Sequence, residues 1–156
     1  MEKLKLALLV CVGCLFIFGC QADPNESSIP DGKDFKDFDV NLAGDDVITD
    51  IYFYGTLTLT EFFYYYDTDS DDGADFLIKC RPTEFKVYKE TGSGIYTDLK
   101  YSGVPALSGA HYHLEFPLSA LELDGHHEFN IFYWFFAMDS GDRMPDSGKE
   151  LLALVL

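Results

Sequence analysis

Cysteine is scarce in the part of this sequence that is expected to fold. Of the four cysteines, Cys11, Cys14 and Cys20 lie within the first 20 residues, and only Cys80 lies in the remainder. A disulfide bond within the remainder is therefore excluded, because a single cysteine has no partner. Cys80 is interpreted as a small apolar strand residue, with an intermolecular or reactive thiol as the alternative.

Positive charge is also scarce. The chain has 11 lysines and arginines against 27 aspartates and glutamates, which gives a formal net charge of −16. A surface this negative repels phosphate backbones, so the sequence predicts no nucleic-acid partner and favours cations.

Catalytic motifs are absent as well. The sequence has no Gly-x-Ser-x-Gly, no glycine-rich phosphate loop, no His-Glu-x-x-His and no paired-cysteine motif. Acidic residues are too abundant for one pair to stand out as a glycosidase pair. The sequence therefore predicts a protein that is not an enzyme.

The hydrophobic run at residues 6–19 has 14 residues, fewer than the about 20 that a membrane-spanning helix needs. Its length and the preceding lysines are typical of a signal peptide, predicted at 1–19. The end of the run, Ile17-Phe18-Gly19-Cys20, resembles a bacterial lipobox, which implies cleavage before Cys20 and lipidation of that cysteine. An uncleaved membrane anchor is the alternative.

Residues 20–36 are polar and contain proline and glycine, so they are predicted to be a flexible tether behind the lipidated Cys20. Gln21 follows that cysteine, as in lipoproteins sorted to an outer membrane. The sequence thus predicts a bacterial cell-envelope protein held to the membrane by lipid chains such as palmitate.

Aromatic residues are plentiful in the remainder, with 14 Phe and 10 Tyr in the chain. Alternation of apolar and polar residues predicts short strands, as in Thr56–Thr60 and 84–89, and the strongly apolar segment 128–138 is predicted to be one further strand. The segment 117–121 has the pattern of a single helical turn. We predict one all-β domain at 37–156, an antiparallel β-sandwich of jelly-roll or immunoglobulin-like type with about eight or nine strands.

Five carboxylates fall within the nine positions 67–75, between two predicted strands. Neighbouring like charges repel, so this loop is expected either to bind a hard cation or to remain a solvated hairpin tip. The spacing does not match an EF-hand, because Ile78 occupies the place of the bidentate glutamate and both flanks are strands. Calcium is the predicted ion, and the predicted ligands are Asp67, Asp69, Asp71 and Asp75.

Aromatic residues also suggest a ligand-binding surface. Trp134 is the only tryptophan, and Tyr133 and Tyr65 lie in aromatic strands, so these three are predicted to stack against sugar rings. Packing in the sandwich core is the alternative for the same residues.

Alternation in 110–116 predicts a strand with His111, His113 and Glu115 on its polar face. The apolar face, predicted to point inward, carries Tyr112, Leu114 and Phe116. Two imidazoles and a carboxylate could bind one transition metal, and a solvated polar face is the alternative.

Four segments in order resemble DOMON-like and carbohydrate-binding-module-like β-sandwiches of bacterial extracellular proteins. They are Asp67-Thr68-Asp69 after an aromatic strand, Gly73-Ala74-Asp75-Phe76, Phe116-Pro117-Leu118-Ser119-x-Leu121, and Asp142-x-x-Pro145-Asp146-x-Gly148. The resemblance covers roughly 46–156. It implies a jelly-roll-like sandwich, often with a structural calcium, that binds sugars or haem; Met138 and His113 would be the candidate haem ligands.

Taken together, these observations predict an envelope-anchored lipoprotein with a binding module that has no catalytic activity, directed at glycans and carrying a structural calcium loop. The alternative is a structural or assembly lipoprotein that recognises another envelope protein through a sheet edge or the Tyr133-Trp134 strand.

Overall fold

A computed structural model describes residues 25–68 and 73–123 with their side chains, together with the backbone of four later strands. The strands, in chain order, are β1 Phe35–Ala43, β2 Asp46–Phe53, β3 Phe62–Tyr66, β4 Phe76–Cys80, β5 Phe85–Gly92, β6 Ile95–Gly103, β7 Ala106–Ser108, β8 His111–Pro117, β9 Glu128–Tyr133, β10 Phe135–Ala137, β11 Arg143–Met144 and β12 Glu150–Val155. One turn of 3-10 helix, Leu118–Leu121, follows β8 as predicted.

The strands form two main antiparallel sheets. The smaller has the order β1-β2-β8-β7, and the larger has the order β11-β10-β3-β4-β5-β6. β9 and β12 pair with each other as a separate two-stranded sheet. The predicted all-β antiparallel sandwich is confirmed, with more strands than expected because several have only two or three residues.

The core lies between the inner faces of the two main sheets. Alternation decides which side chains face it: Tyr112, Leu114 and Phe116 of β8 are buried, whereas the residues between them are partly or fully exposed. Phe62 of β3 meets Tyr112 of β8 edge to face, with ring centroids 5.0 Å apart. Burial of one such aromatic side chain stabilises the fold by roughly 1.5–3 kcal/mol.

The interpretation of Thr56–Thr60 as a strand is wrong. Residues 54–61 form no strand, and their backbone bonds go to two turns instead of a neighbouring strand. Leu57 N–H donates to Gly109 O at 3.0 Å, and Thr58 N–H donates to Gly32 O at 2.8 Å. The alternating pattern instead reflects burial in a segment that is not a strand. Leu59 is buried and Thr60 is exposed where the chain crosses from one sheet to the other.

The aromatic segment 128–138, expected to be one strand, contains two strands, β9 and β10, which belong to different sheets. At the other end of the domain, β1 begins at Phe35, whose side chain is fully buried in the core.

Several predicted features lie outside the described residues: the signal peptide, Cys20 and Gln21, Asp69 and Asp71, Trp134, and Met138. No helix in the described part of the chain is both long enough and apolar enough to cross a membrane.

Candidate functional site

The described part of the acidic loop is its base, where Asp67 and Asp75 lie at the ends of β3 and β4. Asp75 Oδ2 accepts hydrogen bonds from the backbone N–H of Thr68 at 2.7 Å and from its hydroxyl at 2.6 Å. Asp67 is fully buried. The Asp75 carboxylate therefore closes the base of the loop.

Neither Asp67 nor Asp75 belongs to a described group of three metal-binding side chains. The other two predicted calcium ligands, Asp69 and Asp71, lie outside the described residues. The calcium site stays a prediction, and the described residues account for loop closure without it.

Tyr65 points away from the core, on the outer face of the larger sheet. In the strand register, Tyr65 of β3 lies opposite Leu77 of β4. Leu77 lies opposite Tyr88 of β5, and Tyr88 lies opposite Leu99 of β6. We call Tyr65, Leu77, Tyr88 and Leu99 the aromatic row. The Tyr65 ring also meets the Tyr96 ring edge to face, with centroids 5.8 Å apart, and partial burial raises the pKa of Tyr65.

Of the other two predicted sugar-stacking residues, only Tyr133 belongs to the described backbone. Tyr133 lies in β9, where it pairs with Glu150 of β12, in a different sheet from Tyr65. Trp134 is outside the described residues. Tyr65 is thus the predicted sugar-stacking residue that belongs to the aromatic row, and stacking by Tyr133 and Trp134 stays a prediction.

His111 and His113 lie on the outer face of the smaller sheet, as the alternation predicted. Their carboxylate neighbour is Asp50 of β2, because the register places Asp50 opposite His113. Asp50 Oδ1 lies 2.6 Å from His111 Nε2 and 2.8 Å from His113 Nδ1. The three side chains offer one ligand atom each, all within 4.8 Å of one another.

Sequence reasoning named Glu115 as the carboxylate partner and missed Asp50. Glu115 is exposed at the far end of β8, and its cross-strand neighbour is Ile48. The available signal was that Asp50 occupies an outward position of an alternating strand. Alternation does not say which strand lies beside β8, so the pairing could not be deduced.

A shallow cleft of about 420 Å³ lies beside this cluster at the margin of the smaller sheet. It is lined by Asp46, Tyr101, Val104, Ala106, His113, Glu115, Phe116 and Pro117. The cleft therefore reaches the cluster through His113. Its lining is mixed, because the acidic residues Asp46 and Glu115 occur together with apolar groups.

No protein-family model, no curated protein and no solved structure matches this chain. The candidate sites therefore rest on their own geometry.

Proposed function

We propose that this protein is a lipid-anchored binding module of the bacterial cell envelope, without catalytic activity, that binds glycans through the aromatic row. The observation that carries the proposal is the row itself, in which two tyrosines and two leucines follow one another across four neighbouring strands on an outer face. The DOMON-like or carbohydrate-binding-module-like resemblance points to the same class of ligand.

The dimensions of the row suit an extended ligand. Neighbouring strands lie about 4.8 Å apart, so four strands give a row of roughly 14 Å between the first and last positions. Tyrosine rings present an apolar face to the C–H groups of a sugar ring and a hydroxyl to its polar rim. Leu99 is 50% exposed, so the row is open to solvent at the β6 end.

The test is glycan binding by the unmodified chain and by Tyr65→Ala and Tyr88→Ala variants. Each substitution is expected to weaken binding about 10-fold, which corresponds to about 1.4 kcal/mol. Tyr52→Ala is the matched control, because Tyr52 is an exposed tyrosine on the outer face of the other sheet. Glycan binding that is unchanged in both Tyr65→Ala and Tyr88→Ala would contradict the proposal.

Calcium in the acidic loop belongs to the same proposal as a structural ion. Asp67 and Asp75 lie at the loop base, where a bound cation would offset the repulsion among the carboxylates of 67–75. Titrated calcium is then expected to raise the melting temperature, and Asp69→Asn together with Asp71→Asn should remove that rise. A melting temperature that calcium leaves unchanged would count against the ion.

The lipid anchor is tested separately. Cys20→Ser is expected to release the chain from the membrane fraction, because the acyl chains that hold it would have no attachment point. A Cys14→Ser variant is the control, since that cysteine precedes the predicted cleavage site. Retention of Cys20→Ser in the membrane fraction would favour the uncleaved anchor.

A second candidate function, recognition of another envelope protein, is favoured by the exposed apolar residues of edge strand β6 and the segment after it. Ile95 is 56% exposed, Leu99 50% and Val104 80%. Within the described sheet, β6 pairs only with β5, so its other edge can accept a strand from a partner.

The two functions differ in their response to substitution. Ile95→Lys is expected to abolish stoichiometric co-purification of an envelope protein while leaving glycan binding intact. Tyr65→Ala is expected to have the opposite effect. A glycan signal without a protein partner supports the first function, and a partner without a glycan signal supports the second.

A further inference from the structure

We infer that Asp50, His111 and His113 form a binding site for a divalent transition metal of the Zn²⁺ class on the outer face of the smaller sheet. The inference is independent of the proposed function, because the aromatic row lies on the other sheet. It rests on the convergence of three ligand atoms from two neighbouring strands within 4.8 Å.

The donor set selects the class of metal. Two imidazole nitrogens and one carboxylate oxygen suit Zn²⁺ and its neighbours, whereas Ca²⁺ and Mg²⁺ prefer oxygen donors alone. Three protein ligands leave one position of a tetrahedral ion open to water or an external ligand. The site is therefore expected to bind the metal from solution and to keep one exchangeable position.

The geometry requires only a small adjustment. Ligand atoms around a tetrahedral Zn²⁺ are about 3.3 Å apart, given metal–ligand distances of about 2.0–2.2 Å. Asp50 Oδ1 now lies 2.6 and 2.8 Å from the two ring nitrogens, so these two separations need to widen by less than about 1 Å. The two ring nitrogens lie within 4.8 Å of each other, so they need to approach to about 3.3 Å. Side-chain rotation supplies this, because all three side chains are at the surface of the sheet.

When a neutral imidazole binds the metal, its proton changes from one ring nitrogen to the other, and the number of protons on the ring stays the same. The proton that each ring now donates to Asp50 leaves the metal-binding nitrogen, and the other nitrogen of the same ring takes one up from water. No oxidation or reduction is involved.

A second observation points to a cation at this place. Asp39 of β1 lies directly opposite Asp50, and carboxylates in this relation repel each other. Asp39 Oδ1 is buried and has no hydrogen-bond partner among the described residues. Within the same residues, neither Asp39 nor Asp50 forms an ion pair with a lysine or arginine. A bound divalent metal would supply the missing positive charge.

The surroundings hold the ligands in place and leave them accessible. The His111 ring stacks on the Tyr52 ring, with centroids 4.7 Å apart and planes 8° from parallel. The side chains of His111 and His113 are 34% and 33% exposed, so a hydrated ion can reach them directly. The stacked ring limits the orientations of His111, which reduces the entropy lost on binding.

The experiment is a calorimetric titration of the metal-free chain with Zn²⁺. Binding of Zn²⁺ is expected, and His111→Gln, His113→Gln and Asp50→Asn should each weaken it at least about 10-fold. Glu115→Gln is the matched control, because Glu115 lies on the same face of the same strand and is expected to leave the affinity unchanged. Melting temperatures without metal verify that every variant folds.

Nuclear magnetic resonance of the histidine rings distinguishes this site from other binding. Zn²⁺ is expected to shift the ring nitrogens of His111 and His113 before those of His126 and His127. The Tyr65→Ala variant is expected to bind Zn²⁺ with unchanged affinity. The outcome of the Zn²⁺ titration therefore does not depend on whether the protein binds glycans. An affinity that is equal in the unmodified chain, His111→Gln and His113→Gln would overturn the inference, as would first shifts at His126 and His127.

Discussion

At the scale of single residues, Thr49 shows how the two sheets are held in one arrangement. Its hydroxyl is buried between them, 3.3 Å from the Tyr66 hydroxyl, and it accepts a hydrogen bond from the Tyr64 hydroxyl at 3.5 Å. Thr49 belongs to β2 and the tyrosines to β3, so these contacts cross the core. Buried polar groups stabilise a fold only when they are paired, so the contacts favour one relative position of the sheets.

Thr49→Val is expected to lower the free energy of unfolding by about 1–3 kcal/mol, because valine keeps the volume and removes the shared hydroxyl. The same change in a Tyr66→Phe background should cost less, because one partner is already gone. Urea denaturation of the four proteins in this cycle measures the difference. Equal costs in both backgrounds would show that the hydroxyls do not interact.

Cys80 behaves as the sequence predicted, as a small apolar residue in a strand. It is fully buried in β4, and this burial raises the pKa of its thiol. A buried thiol that stays protonated is a poor nucleophile. Mass spectrometry of thiol-labelled native protein is expected to find Cys80 unmodified, with labelling after unfolding; rapid labelling of the native chain would contradict this.

At the scale of elements, the β5–β6 hairpin depends on a glycine that the alternation pattern does not reveal. Gly103 lies opposite Phe85, and a Cβ built on it would lie 2.5 Å from the Phe85 ring. Phe85 is buried and packs against Tyr101 and Phe116, so a displacement of its ring would disturb packing in the core. The end of β6 can approach β5 only because this side chain is missing.

Gly103→Ala is therefore expected to lower the free energy of unfolding by about 1–3 kcal/mol through overpacking. Gly92→Ala in the same hairpin is the control, because a Cβ there meets nothing within 4 Å. Chemical denaturation of both variants makes the comparison. If Gly92→Ala lowered the free energy of unfolding as much as Gly103→Ala, the loss of stability would come from backbone entropy and not from contact with Phe85.

At the scale of the whole molecule, the tyrosines buried in the core make stability depend on alkaline pH. Desolvation by burial raises the pKa values of Tyr64, Tyr66 and Tyr112 above the ordinary tyrosine value of about 10. In the unfolded chain the same hydroxyls ionise near pH 10. Above that pH the unfolded state binds fewer protons than the folded state, so stability falls as pH rises.

Below about pH 10, these tyrosines are expected to make a constant contribution to the free energy of unfolding. Above that pH, the contribution falls by up to about 1.4 kcal/mol per pH unit for each tyrosine. Denaturant titrations at several alkaline pH values measure the slope, with tyrosinate absorbance as a second readout. Tyr112→Phe should reduce the slope. An identical slope in that variant would assign the pH dependence to groups other than the core tyrosines.

How much could be predicted depended on the range of the interactions. The strand character of β8, the burial of Tyr112, Leu114 and Phe116, and the helical turn at Leu118–Leu121 were correct, because alternation and a proline before a short turn are local signals. The segment Thr56–Thr60 has the same alternation and is no strand. Its backbone finds partners in turns that are distant in sequence, and a periodic pattern does not contain that information.

The sequence by itself determined that the domain is all-β, that the apolar side of each alternating strand faces inward, and that His111 and His113 face outward together. These follow from a two-residue period that any strand imposes on its own side chains. Only the tertiary structure decided that Asp50, and not Glu115, meets the histidines, and that Tyr65 forms a row with Leu77, Tyr88 and Leu99. Register and strand order set those neighbours, and both depend on how the whole chain packs around a common core.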